Sequence, residues 1–255
     1  MDARYFWNKT QRLAEILTFP RGLTLKLSER AFESANFRVC TRLRDSGIAP
    51  ATVFDVGANA GQFALAARTV LRAAQVHSYE PVERPFARLQ RLAARLGGVT
   101  PHRSALGRTA GRAVINVATQ AQASSLLALH PNHRRFYPEV TDSARQEVVV
   151  STLAIELGQV RCPEPLLLKL DVQGFEGEVL AGAGDELARF RWILLETATD
   201  PLYQGQALFD DVTEQLRRSG FRFRFPLDIH FSTQSGAVTQ FDALYERCDA
   251  DRARR

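Results

Sequence analysis

Four acidic side chains stand where apolar runs of this sequence stop: Asp55 in VFDVGANAGQFA, Glu80 in HSYEP, Asp171 in LLKLDVQGFEGE and Glu196 in RWILLE. A carboxylate at the end of a buried strand can accept hydrogen bonds from hydroxyls, pair with a cation, or take up a proton. The loop after Asp55 narrows the choice. Asp55, Gly57, Asn59 and Gly61 form D-x-G-x-N-x-G, not the G-x-G-x-x-G turn that sets a helix N-terminus against a dinucleotide pyrophosphate. Such a loop favours a nucleoside ligand without a phosphate bridge. Asp55 would repel a phosphate and suits an ammonium or sulfonium charge, which points to S-adenosylmethionine. Glu80, at the end of the next strand, is placed to accept from both ribose hydroxyls. Ser104 and Ala105, at the end of a third strand, suit the edge and face of an adenine.

A second cluster follows from KLDVQGFEGE. Lys169 and Asp171 are two apart on a strand and share a face, while the leucines before them read as a buried run. Asp171 therefore lies at the floor of the site. Gln173, Gly174 and Glu176 follow in a turn into a helix, where Glu176 either complements the helix dipole or meets an acceptor. Glu196 has the same two roles open to it, structural hydrogen bonding or acceptor contact. His130 and His133 have a spacing that suits a metal but lie in a loop without a carboxylate or cysteine partner, so they read as surface residues and no metal is expected. His77, His102 and His230 read as packing or surface residues.

The elements that must position these groups alternate strand and helix from Thr52: TVFDVG, QFALAARTVLRA, AQVHSYEP, PFARLQRLAARLGG, VTPHRSALG. That rhythm means βαβ units and a parallel sheet. RAVINVA and EVVVSTLAIEL read as two strands of an insertion at about 111–150, on the carboxyl edge of the sheet. The rhythm resumes with PLLLKLDVQ, a helix from Phe175 to Leu187, RWILLET, a helix around FDDVTEQLRRSG, and a closing pair near FRFRFP and FDALYERC. Residues 1–50 read as a helical cap or lid, with Leu13, Ile16, Leu17, Phe32, Phe37 and Val39 as buried candidates, and 51–255 as the domain carrying the site. DADRARR at the end reads as a solvated tail.

Composition removes several classes. The 255 residues are 45% hydrophobic, enough to bury a substantial core, and contain no apolar run long enough to span a membrane and no signal-peptide pattern. Three widely spaced cysteines, Cys40, Cys162 and Cys248, support neither a disulfide framework nor a zinc site. These features lead to the expectation of a cytoplasmic protein. The net charge of +5 comes from dispersed basic residues rather than a stripe, so nucleic-acid and membrane partners are not expected. Lysine occurs only at Lys9, Lys26 and Lys169 among 33 basic residues, a bias towards arginine that makes each lysine's place worth asking about.

VFDVGANAGQFA, HSYEP, RSALG, ASSL, LLKLDVQGFEGEVLAGA and ILLE together resemble the FkbM family of S-adenosylmethionine-dependent methyltransferases. The resemblance implies a Rossmann-like class I methyltransferase fold: a mostly parallel central sheet flanked by helices, with an antiparallel C-terminal strand. It implies that Asp55, Gly57, Asn59 and Gly61 form the methionine-side loop, that Glu80 holds the ribose, and that Ser104 and Ala105 lie beside the adenine; Ser104 stands where the family usually has Asn or Asp. Ser124 and Ser125 match a family motif and, with Gln173, are taken as acceptor contacts. Asp171 is the expected proton acceptor, with Glu176 and Glu196 orienting the methyl acceptor, although the Asp171 carboxylate could instead meet the methionine amino group. The expected reaction is O-methylation of a hydroxyl on a sugar or secondary metabolite. N-methylation of a peptide amide or other macromolecule is the alternative, and a nucleotide-binding protein without transferase activity comes third.

Overall fold

The computed structural model describes residues 31–137, 139–232 and 236–248. Leu13, Ile16 and Leu17 of the expected cap, and the DADRARR tail, lie outside them. The described part of the cap is one helix, α1 (Ser34–Asp45), whose Phe37, Val39, Cys40 and Leu43 are buried. It packs on the helical segment that follows the first strand and touches the edge of the sheet.

The main sheet starts with β1 (Thr52–Val56), β2 (Gln75–Tyr79) and β3 (Val99–His102), linked by α2 (Gln62–Ala66), which runs on as a wider turn to Leu71, and by α3 (Glu83–Leu96). A short β4 (Ala105–Leu106), β5 (Gly111–Ala118) and β6 (Asp142–Ser151) form a separate sheet in the order β4-β6-β5, with α4 (Pro131–Phe136) between the last two. The chain returns through α5 (Leu153–Gln159) to β7 (Leu166–Leu170), α6 (Glu176–Ala181), β8 (Phe190–Ala198), α7 (Phe209–Arg218), β9 (Phe221–Phe231) and β10 (Val238–Arg247). The order across the seven strands is β3-β2-β1-β7-β8-β10-β9, parallel throughout except for β10, which runs against both neighbours. Burial explains the central strands, since every residue of β1 and of β7 is buried, as expected for parallel strands covered on both faces.

Three expectations change. EVVVSTLAIEL is not one strand: Thr152 leaves the ladder, its hydroxyl accepts from the Ile155 amide at 3.2 Å, and LAIELGQ winds into α5. The third strand ends at His102 rather than at Ser104 and Ala105, because Ala105 crosses to pair with Val150 in the small sheet. The helix expected from Phe175 to Leu187 is interrupted at Gly182, where a Cβ would stand 1.9 Å from the Gly107 oxygen; a tighter turn then covers Gly184–Arg189.

In this order the strands on either side of the β1–β7 junction lead away in opposite directions. Their carboxyl ends therefore leave a crevice. It opens above Asp55, Glu80 and Asp171, the three carboxylates at the ends of β1, β2 and β7.

Candidate active site

The turn after β1 is held in shape by its neighbours. The amides of Gly57 and Ala58 both donate to the Tyr79 carbonyl at 3.0 Å, and Gly57, Asn59 and Gly61 take φ of +78°, +47° and +91°. Gly57 has no substitute, since a Cβ there would lie 1.8 Å from the Asp171 carbonyl oxygen. The first loop thus rests directly on the end of β7. It also reaches Glu80: the Asn59 amide donates to Oε2 at 2.9 Å and the Val82 amide to Oε1 at 2.8 Å. Each oxygen keeps a lone pair for a further donor. Burial pushes the Glu80 carboxyl up to about 7, against the pull of those two amides and of Lys169.

Beneath this turn lies Lys169, which is 8% exposed. Its Nζ is 3.3 Å from Asp171 Oδ2, 3.4 Å from Asp55 Oδ1 and 3.4 Å from the Gly57 oxygen. Burial works against its charge, but Asp171 and Asp55 outweigh that and raise its pKa. Asp55 itself is 0% exposed, accepts from Ser78 Oγ at 3.4 Å, and has its pKa raised by burial and lowered by Lys169. Asp55, expected at the ligand's positive charge, lies here beneath the floor of the site against an internal cation.

Asp171 remains open, with 40% of its side chain exposed. Gln173 holds it in place. The Gln173 Nε2 donates to Asp171 Oδ1 at 2.8 Å and to Glu196 Oε2 at 2.7 Å, while its Oε1 accepts from the Tyr203 hydroxyl at 2.6 Å. With acceptors on one side and a hydroxyl on the other, only this orientation of the amide satisfies all three. Gln173 has a φ of +57°, a costly conformation for a non-glycine residue that its surroundings must enforce. Ser125 Oγ fastens the Gln173 carbonyl at 2.7 Å, and the next residue, Gly174, lies against the Tyr203 ring. Glu176, expected to orient the acceptor, ends the turn itself as the first residue of α6. It is 3% exposed, its Oε1 accepts from the Val172 and Gly174 amides at 3.0 and 3.3 Å, and burial pushes its carboxyl up to about 7. It staples the turn that carries Gln173.

Two cavities meet at this point. The first encloses about 800 Å³ including its mouth and is lined by Gly57, Asn59, Glu80, Ser104 and Ala105. Ser124 and Ser125, expected at the acceptor, lie on this side. The second, about 1150 Å³ with its mouth, is walled by Glu196, Gln240, Asp242, His133 and Tyr137. Glu33, Asn36, Gln122, Asp171 and Gln173 line both. Asp55, Gly61 and Glu176 line neither. His133, read as a surface residue, is 3% exposed and packs against the rings of Tyr137 and Tyr203. Among the described residues no group of His, Cys, Asp and Glu is arranged to hold a metal, and no helix is long and apolar enough to cross a membrane.

The first cavity suits a cationic nucleoside. Three carboxylates line it, Glu33, Glu80 and Asp171, and its only cation among the described residues, Lys169, is already shared between Asp55 and Asp171. A pyrophosphate would find no free positive group there. S-adenosylmethionine fits by sign of charge, and its ribose hydroxyls match the lone pairs left on Glu80.

A parallel sheet with one reversed strand beside its edge, a glycine turn over β7 and a buried carboxylate after β2 together make a Rossmann-like fold with its crevice at the carboxyl ends of the strands. The chain belongs to the FkbM methyltransferase family: the Methyltransferase FkbM domain matches residues 55–223, more than half of its length. No curated protein matches the sequence. Among solved structures it is similar to methyltransferase FkbM from Methylobacillus flagellatus KT, at 16% identity and a TM-score of 0.48, over 76% of this chain and 43% of that one. The chain thus spans less than half of that protein. Magnesium protoporphyrin IX methyltransferase from Synechocystis PCC 6803 with bound S-adenosylmethionine is similar at 14% identity and a TM-score of 0.45, over 84% and 78% of the two chains. The 1,6-didemethyltoxoflavin-N1-methyltransferase of Burkholderia thailandensis is similar at 14% identity and a TM-score of 0.42, over 98% and 92%.

Proposed function

We propose that this methyltransferase transfers the methyl group to a hydroxyl of a small polar acceptor, with Asp171 as the group that takes the proton. The observation that carries the reading is that Asp171 and Gln173 line both cavities. A group that serves the reaction must touch the place where donor and acceptor meet, and few residues do so.

When bound, S-adenosylmethionine supplies an electrophilic methyl group on a sulfonium that departs as a neutral thioether. The protein's part is orientation and removal of a proton. Glu80 holds the ribose hydroxyls, and Ser104 and Ala105 flank the base. Since Asp55 is sealed, Glu33 takes the methionine ammonium. Its carboxylate lines both cavities and is committed to one hydrogen bond, from Asn36 Nδ2 at 3.1 Å. Asp171 accepts the hydroxyl proton as the oxygen bonds to the methyl carbon. Gln173 and Tyr203 fix the direction in which that carboxylate points.

Carboxylates around the second cavity favour a small molecule over a nucleic acid, whose phosphates they would repel. Incubating the purified chain with S-adenosylmethionine carrying a deuterated methyl group, together with a fractionated cell extract, tests the reading by mass spectrometry. Label in a small hydroxylated compound is expected. Label confined to protein or RNA fractions would refute it.

A further inference from the structure

The far wall of the second cavity holds two carboxylates that no described residue meets in an ion pair. Glu196 on β8 and Asp242 on β10 are direct cross-strand partners, and both line the cavity. Two like charges at such a position repel and destabilise the sheet unless something positive or a proton lies between them. Among the described residues, the cations on or near this space have their ion pairs elsewhere, and Lys169 and His230 reach Asp242 only at longer range. Lys169 pairs with Asp55 and Asp171; Arg38 and His230 lie 3.4 and 3.5 Å from Asp228. His133 packs between aromatic rings. Glu196 receives only the Gln173 amide, and Asp242 has no hydrogen bond or ion pair among the described residues. Glu33, also on the lining, has only the Asn36 amide.

An independent observation lies two residues before Asp242. Gln240 is 8% exposed and lines the same cavity; its Oε1 accepts from the Tyr137 hydroxyl at 3.0 Å, while its Nε2 has no acceptor among the described residues. With the oxygen end fixed by Tyr137, this amide N–H is open to the cavity and free to donate to a ligand oxygen. The cavity thus offers one unused donor beside two unbalanced carboxylates. An apolar aromatic acceptor would leave all three unsatisfied.

We infer that the acceptor is an aminated polyol, held with its ammonium group between Glu196 and Asp242, an oxygen on Gln240 Nε2, and the hydroxyl to be methylated at Asp171. The inference rests on the function proposed above and deepens it. Burial, together with neighbouring Asp171, pushes Asp242 up to about 7 and Glu196 well above the usual carboxylate range. In the free protein the pair therefore attracts a proton, which an arriving ammonium displaces.

The test uses the full chain loaded with S-adenosylhomocysteine and two simple probes, ethanolamine and ethylene glycol, which differ in one amine. Carbon-13 signals of the Glu196 and Asp242 carboxyls are followed by NMR as each probe is added. Ethanolamine should shift both signals saturably, bind at least about tenfold more tightly than the glycol, and release protons on binding. Asp242→Asn, of the same size, should abolish that preference without changing the affinity for S-adenosylhomocysteine. Equal binding of the two probes, or a preference for ethanolamine that survives in Asp242→Asn, would overturn the inference; should the variant not fold, the comparison of probes in the native chain decides alone. A chain that fails to bind S-adenosylhomocysteine would overturn the cofactor reading instead, and the inference with it.

Discussion

Replacing Asp171 by Asn tests the centre of the proposal, because the structure makes the change small in shape and large in chemistry. Asp171 Oδ1 accepts from Gln173 at 2.8 Å and Oδ2 faces the Lys169 ammonium at 3.3 Å. An amide has one acceptor and one donor end, so either orientation turns an N–H towards another donor. One charge-assisted contact is lost. Such contacts are worth roughly 1.5–3 kcal/mol when buried, and the exposure of this side chain reduces that to about 1 kcal/mol of stability. The fold should survive. Turnover should not: without a proton acceptor at the junction it should drop about 10²-fold or more, the scale of general base catalysis. Cofactor affinity should stay within about threefold, because Glu33 faces the ammonium. Single-turnover rates at saturating cofactor, with the acceptor found by labelling, are measured beside a calorimetric dissociation constant. Full turnover with weakened cofactor would refute the argument and give Asp171 the ammonium.

Other outcomes follow from the same contacts. Glu80→Ala should weaken cofactor binding by roughly 1–3 kcal/mol, and native affinity should fall as pH drops below the carboxyl's value of about 7, which calorimetry across pH 5 to 8 checks. The sign for folding is opposite: a folded pKa above the usual 4.5 means that the stabilising proton is fully bound below about 4.5 and lost as pH rises through about 7. Tyr203→Phe leaves Gln173 Oε1 without its donor, so turnover should fall about tenfold with the cofactor dissociation constant unchanged; equal loss in both would mean a general packing role. Lys169→Met leaves Asp55 buried without a cation and should cost about 3–5 kcal/mol, seen as a lower melting temperature that recovers in part as acid neutralises Asp55.

The sheet was legible because β1 and β7 are continuous apolar runs ending in acids, and a buried parallel strand has no other way to read. Gly57, Asn59 and Glu80 could be found from the same signal. The fate of Asp55 could not, because whether a strand-end carboxylate faces solvent or an internal ion depends on the neighbouring strand's register. Asp55 is paired with Lys169 across the β1–β7 ladder, and the rarity of lysine in the chain was the one trace of it. Glu176 was ambiguous for a similar reason: its partners are the amides of its own turn. Tyr203, Glu33 and Asp242 come from the β8–α7 loop, the start of α1 and the reversed strand. They reach the site only through tertiary packing, and no local spacing marks them.

Charge placement accounts for the division of labour between carboxylates of identical chemistry. Lys169 sits at the meeting point of β1 and β7 and lies against one oxygen of Asp55 and one of Asp171. Asp55 is thereby removed from the reaction and becomes part of the floor. Glu80 and Glu176 are each tied down by two backbone amides, Glu80 by those of Asn59 and Val82 and Glu176 by those of Val172 and Gly174. What remains is a graded series running outwards from the junction: Asp171 half compensated, Glu196 held by one amide, and Asp242 without a hydrogen bond or ion pair among the described residues. Under the proposed reading, a positive donor and a positive acceptor group would be drawn towards opposite ends of that series, with the hydroxyl to be methylated between them. Moving the lysine by one strand position would turn it to the other face of β7 and leave both strand-end acids competing for the same proton.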